Sequence, residues 1–225
     1  MRLAYPVEEH VVDLVEALLR TSADVVAVID EDGTYRRSNA AHARGLLRQE
    51  TDSVAGAHVA DFYSREIVAA SVARGRDLLR EQRPLVQYKM LRGMHARNEI
   101  LPLPRSPWGP ALLVRCRLAD PTAHALRVAQ GLTDAVEAER FPIADLGPLE
   151  GLSRDDLSLL RGLAAGVTEQ ELMDATGLSA FELDRWSQRV GASVGWPGTL
   201  RSLRSHAYAS GLHMFEDAHW RASVD

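Results

Sequence analysis

The spacing of apolar residues along this chain is first helical, then alternating, then helical again. Val7, Val11, Leu14, Val15, Leu18 and Leu19 recur at i, i+3 and i+4, which predicts an amphipathic helix ending near Arg20. Residues 24–30 (DVVAVID) suit a buried strand, Glu31-Asp32-Gly33 a tight turn and residues 34–38 a returning strand, because Asp-Gly between two such runs is the strongest short-range hairpin signal. A short helix carrying Leu46 and Leu47 follows, then a longer one over about 64–81 with Ile67, Val68, Val72, Leu78 and Leu79 inside. Strands are predicted over 85–90, 99–103 and 111–118. In the last, Leu112, Val114, Cys116 and Leu118 alternate with Leu113, Arg115 and Arg117, so one face is apolar and the other mostly charged. Asp120-Pro121 ends that strand. From 122 to 140 Leu126, Ala129, Leu132 or Thr133, and Val136 form a narrow helical stripe, suited to a dimer seam, a signalling helix or packing back on the sheet. Phe141-Pro142, Gly147-Pro148 and Gly151 mark a linker.

Residues 152–212 read as four short helices. Three of them open with one device, Ser153 with Asp156, Thr168 with Glu171 and Ser179 with Glu182, in which a hydroxyl caps an early N–H and the carboxylate reaches back to the cap residue. Gly166 and Gly177 supply the stops. The helix between them has only about two turns, too few to persist without neighbours, and Gly177-Leu178-Ser179 joins it to the next in a helix-turn-helix layout.

A strand pair, helices and three antiparallel strands make the first half α+β, and the last third is all-α. Ser22-Ala-Asp24, the strand ending Val28-Ile29-Asp30, Asp32-Gly33, Ser38-Asn39-Ala40, Gly56 and Asp61-Phe62 carry a resemblance to PAS sensory domains. Leu152, Ser153, Leu160, Leu163, Ala164, Gly166, Thr168, Glu171, Leu172, Gly177, Leu178, Ser179, Leu183, Val190 and Gly195 carry one, without a gap, to LuxR/NarL/FixJ-type helix-turn-helix domains. The expected organisation is an N-terminal helix (1–20), a PAS-like antiparallel sheet with flanking helices (21–119), a helical linker (120–150), a four-helix helix-turn-helix domain (151–212) and a tail (213–225).

Composition adds little to this picture. With 46% hydrophobic and 25% charged residues in 225 the chain is of ordinary soluble type, its apolar runs are too short to span a bilayer, and MRLAYPVEEH lacks the basic start and apolar core of a signal peptide. A cytoplasmic protein without membrane contact is expected. Cys116 stands alone, so no internal disulfide forms. No phosphate loop, nucleophile motif or paired acids point to catalysis, and an enzyme is not expected. Light-sensing flavin relatives carry a cysteine on an early helix, whereas Cys116 lies on a late strand. Haem-binding relatives place a histidine where this chain has Glu66-Ile-Val-Ala-Ala70, which leaves His58 as the residual candidate. No cofactor is therefore expected, and a small-molecule or protein signal and an empty packed core both remain open. His213 and Asp217 could share a helix face, but no third ligand is evident and no metal is expected.

Charge bears directly on partners. The net charge is −5, and residues 151–212 hold six arginines against seven carboxylates. The resemblance implies that the helix starting at Ser179 enters the major groove of DNA. There the chain has Phe181, Glu182, Asp184, Arg185 and Trp186, with Asp184 where the family often has lysine, and Pro197 and Thr199 replace basic residues before the fourth helix. The candidate DNA-binding set is Ser179, Asp184, Arg185, Gln188, Arg189, Arg201 and Arg204. Arg185, Gln188 and Asp184 suit guanine, adenine and cytosine edges, and the remaining arginines suit phosphates. The expected function is that of a homodimeric, signal-responsive transcriptional regulator. The alternative is an interaction adaptor that keeps the scaffold without DNA binding and presents Phe181 and Trp186 to a protein.

Overall fold

A computed structural model of the chain describes residues 7–118 and 138–214. They fall into two units, the first made of 7–88, 97–118 and 138–140, the second of 89–96 and 141–214.

In the first unit α1 (Val7–Thr21) precedes β1 (Val25–Asp30) and β2 (Tyr35–Ser38). A π-helical turn (Ala41–Leu46) and a 3-10 turn (Val59–Asp61) lead to α2 (Arg65–Glu81). β3 (Leu85–Leu91), β4 (Met94–Leu103), β5 (Ala111–Leu118) and β6 (Ala138–Arg140) complete a six-stranded sheet of order β2-β1-β5-β4-β3-β6. β1 runs antiparallel to β5 with Val25 opposite Cys116 and Ile29 opposite Leu112. Pleating sends alternate residues to opposite faces. Val26, Val28, Leu103 and Leu113 meet Val15, Val11 and Leu18 of α1, while Leu112, Val114 and Ile100 meet Leu78 and Leu79 of α2. The N-terminal helix thus caps the sheet, and among its described apolar side chains Leu14 alone is exposed, at 61%.

Two polar side chains of this unit tie its backbone together. Asp30 Oδ1 accepts from Asp32 N (3.1 Å) and Thr34 N (2.8 Å), which shapes the Asp-Gly turn. The buried Asn39 side chain accepts from Val26 N (3.1 Å) and His42 N (3.0 Å) and donates to Asp24 O (2.8 Å), pinning the exit of β2 to the start of β1.

Three expectations change. β4 starts at Met94, not near 99, because Arg92-Gly93 (φ 49° and 75°) makes a tight turn with two left-handed residues, the geometry that matches strand twist. Residues 138–140 are a strand parallel to β3 (Gln87 opposite Glu139) and not the end of a helix, and the rest of the helix expected over 122–140 lies outside the described residues. The short helix carrying Leu46 is a π-helical turn.

The second unit holds α3 (Arg154–Ala164), α4 (Glu169–Thr176), α5 (Ala180–Val194) and α6 (Leu200–Ala209). All three capping boxes form, and Gly177 and Gly195 close α4 and α5 in the left-handed conformation. Leu157, Leu160, Leu163, Leu172, Leu183, Val190, Leu203 and Leu212 make the core, to which the tip of the β3–β4 hairpin adds Met90. That tip is tied in by Gly93 N donating to Asp145 O (2.8 Å) and His95 N to Ser210 O (2.8 Å). At Gly191 a Cβ would lie 2.6 Å from Gly198 Cα, so the absent side chain is what lets the α5–α6 connection fold against α5.

Candidate nucleic-acid interface

The exposed face of α5 follows from its buried one. Leu183, Trp186, Ser187, Val190, Gly191 and Val194 turn inward, so at 3.6 residues per turn the ridge directly opposite carries Phe181, Arg185, Gln188 and Ala192, all exposed. The turn Gly177-Leu178-Ser179 delivers this helix from α4. Ser179 Oγ caps Glu182 N (3.3 Å), while Ser179 N and Oγ donate to Glu182 Oε2 (2.8 and 2.6 Å). Those bonds hold the Glu182 carboxyl below its ordinary range. Ser179 and Glu182 are therefore committed to starting the helix.

Beneath the ridge α5 is anchored to α3 through Asp156, which is 5% exposed. Its Oδ1 accepts from Trp186 Nε1 (2.8 Å) and Arg189 Nη2 (2.6 Å), and its Oδ2 from Arg189 Nη1 (3.1 Å) and Ser153 N (3.3 Å). Burial alone would raise the Asp156 pKa. The bonds from Arg189, Ser153 and Trp186, with the Arg189 charge, outweigh it and hold the carboxyl at about 2. One carboxylate thus serves as half of the α3 capping box and as the clamp on the middle of α5. The capping box is visible in sequence as Ser153 and Asp156. The partnership with residues about thirty positions later is not.

The sequence-derived contact residues fall into distinct settings. Arg185 stands on the ridge with no ion pair among the described residues, its guanidinium carbon 5.9 Å from the centroid of the Phe181 ring. Gln188 shares the ridge and donates through Nε2 to Asp184 (2.8 Å) on its flank. Arg189 spends both terminal nitrogens on Asp156, although its side chain is 57% exposed. Arg204 of α6 donates to Val167 O (2.7 Å) and is half-buried, whereas Arg201 in the first turn of α6 is exposed. Trp186, expected on the surface, is instead 7% exposed, because its indole N–H finds its acceptor in the buried Asp156. Phe181 is 70% exposed.

In the first unit His58 uses both ring nitrogens, Nδ1 accepting from Ala60 N (3.0 Å) and Nε2 donating to Asp32 O (2.7 Å), so it caps a 3-10 turn and offers no lone pair to iron. Cys116 is buried within the sheet. A groove of about 410 Å³ lies on the α1 side of the sheet, lined by Leu18, Val26, Val86, Leu101, Leu113 and Arg115. Glu139 of β6 accepts from Arg74 Nε (2.9 Å) and Nη2 (3.0 Å) on α2 and from buried Gln87 Nε2 (3.0 Å) on β3, a three-way tie that sequence spacing did not signal. Among the described residues no group of three His, Cys, Asp or Glu could hold a metal, and no helix is long and apolar enough to cross a membrane. Asp217 and His219 lie outside the described residues.

Residues 19–88 match the family model of the PAS fold. No curated protein matches the chain. Among solved structures, the phage VqmA–DPO complex is similar at 16% identity and a TM-score of 0.49, over 96% of each chain. VqmA of Vibrio cholerae in its ligand–DNA complex is similar at 14% identity and a TM-score of 0.41, over 89% of each chain. A domain of an HTR-like protein from Haloarcula marismortui is similar at 16% identity and a TM-score of 0.39, over 44% of this chain and all of that one.

Proposed function

We propose that this chain, with a PAS fold over 19–88, is a cytoplasmic, signal-responsive DNA-binding transcriptional regulator. In this reading a signal on the sensor (21–119) shifts how two copies associate through residues 7–20 and 122–140, and that association sets the spacing of two LuxR-type helix-turn-helix domains (151–212) on half-sites about one helical turn apart. The signal is a small molecule or a protein acting on the sensor, and the chain catalyses no reaction.

The observation that carries the reading is the α5 ridge. A solvent-facing line of Phe181, Arg185 and Gln188 sits on a helix that is capped at its start by Ser179 and Glu182 and clamped at its middle by Asp156. Recognition of base edges in the major groove needs a helix held in this way, with its outer ridge free.

A specific observation favours a second reading, the interaction adaptor. Glu169 and Asp174 of α4 and Asp184 of α5 are exposed, as is Phe181, and carboxylates near phosphates oppose binding. Selection of fragments from a random duplex pool by the full-length protein, at low and moderate salt, separates the two. The regulator enriches a two-half-site sequence, with affinity falling steeply as salt rises. An adaptor enriches nothing at either salt.

A further inference from the structure

We infer that Phe181 and Arg185 act as one base-reading unit, specific for a thymine next to a guanine in the major groove. This rests on the DNA-binding reading above and assigns its sequence preference.

A phenylalanine on the outermost ridge of a water-facing helix has no packing role among the described residues. It is 70% exposed, while every inward position of α5 is filled without it. Its one ring partner among the described residues is Arg185, four residues later, whose guanidinium carbon sits 5.9 Å from the ring centroid. That i, i+4 stacking is a cation–π pair. It limits where the arginine fork can point before any ligand arrives, so less side-chain entropy is lost on binding.

The competing groups on this face are tied elsewhere. Gln188 donates to Asp184, Arg189 is held by Asp156, and Ser179 and Glu182 form the cap. Ala192, next along the ridge, carries no polar side chain. What the ridge presents to a groove is therefore an aromatic face and, about 6 Å along the helix axis, an unneutralised guanidinium.

Each half of the unit has one natural complement. In the major groove only thymine offers a methyl group, which suits an aromatic face, and guanine offers paired O6 and N7 acceptors, which suit the guanidinium fork. A span of about 6 Å covers neighbouring base pairs, which rise about 3.4 Å each.

The test takes the duplex selected by the full-length protein and replaces each thymine in turn with deoxyuridine, which removes only the methyl group. The wild type and Phe181→Ala are titrated against each duplex. Phe181 is exposed, so an unchanged melting temperature is expected for the variant and is measured alongside. At one thymine beside a guanine, deoxyuridine should weaken the wild type about fourfold, the worth of one buried methyl group, and leave Phe181→Ala unaffected. At that guanine, 7-deazaguanine should weaken the wild type and leave Arg185→Ala unaffected. Equal loss in wild type and Phe181→Ala, or a selected site without a thymine–guanine neighbour, overturns the inference while the DNA-binding reading stands. A protein that selects no duplex overturns both.

Discussion

Asp156 is where the helix-turn-helix unit should be most vulnerable to a single change. In the native protein its carboxyl lies at about 2 against an ordinary 3.8, and at about 1.36 kcal/mol per unit this corresponds to about 2 kcal/mol of stability at neutral pH. The carboxylate is 7% exposed, so solvent screening takes little away. The sign follows from the lowered pKa. The stabilisation is fully present above about pH 4 and is lost as pH falls from 3.8 towards 2. Asp156→Asn keeps a carbonyl for the Trp186 N–H and removes the charge, so it should cost about 2 kcal/mol at pH 7. Asp156→Ala also strands the buried indole N–H and breaks the capping box, and should cost about 4 kcal/mol in all. Urea titrations read by pulsed hydrogen exchange on α3 and α5 peptides measure this within the unit concerned. The gap between wild type and Asp156→Asn should close as pH approaches 2. A gap that is absent at pH 7, or that persists unchanged at pH 2.5, would refute the assignment of this carboxylate as an ionised clamp.

Four further outcomes follow from the geometry. Glu139→Gln weakens the bonds from Arg74 and Gln87, and exchange of the β6 amides at 138–140 should quicken about tenfold, whereas Arg80→Gln in the last turn of α2, an exposed side chain that pairs with Asp77, should leave it unchanged. Val15→Ala should lower the unfolding free energy of the sensor unit by about 2 kcal/mol, because Val15 is 1% exposed against the sheet. Leu14→Ser should leave that free energy unchanged, and light scattering on this variant reads whether the exposed Leu14 serves association of two copies. Asp184→Lys should raise DNA affinity and steepen the fall of log K with log salt by about 0.9 per phosphate newly neutralised, and an unaltered slope would show that this position lies away from the backbone.

Elements whose signals are local are legible from residue order alone. A capping box is written in residues three apart, so Ser153, Thr168 and Ser179 announce α3, α4 and α5. An Asp-Gly turn lies within the hairpin it makes, and the 3.6-residue period fixes which side of α5 turns inward. From that period the outward line of Phe181, Arg185 and Gln188 is readable without coordinates. What depends on partners far along the chain is set by folding. Asp156 meets Trp186 and Arg189 thirty and thirty-three residues later, which buries an indole expected at the surface and ties up an arginine expected on phosphate. Glu139 meets Arg74 sixty-five residues away, and residues that continue a helical stripe become a strand because the edge of β3 offers unpaired backbone groups. The Arg92-Gly93 turn is not legible in the sequence because the strand it opens carries His95, Arg97 and Asn98 and shows no clean alternation. Local backbone chemistry is written in neighbouring residues. The pairing of buried charges and of strand edges is settled by which surfaces the folded chain brings together, and one-dimensional spacing carries no record of that.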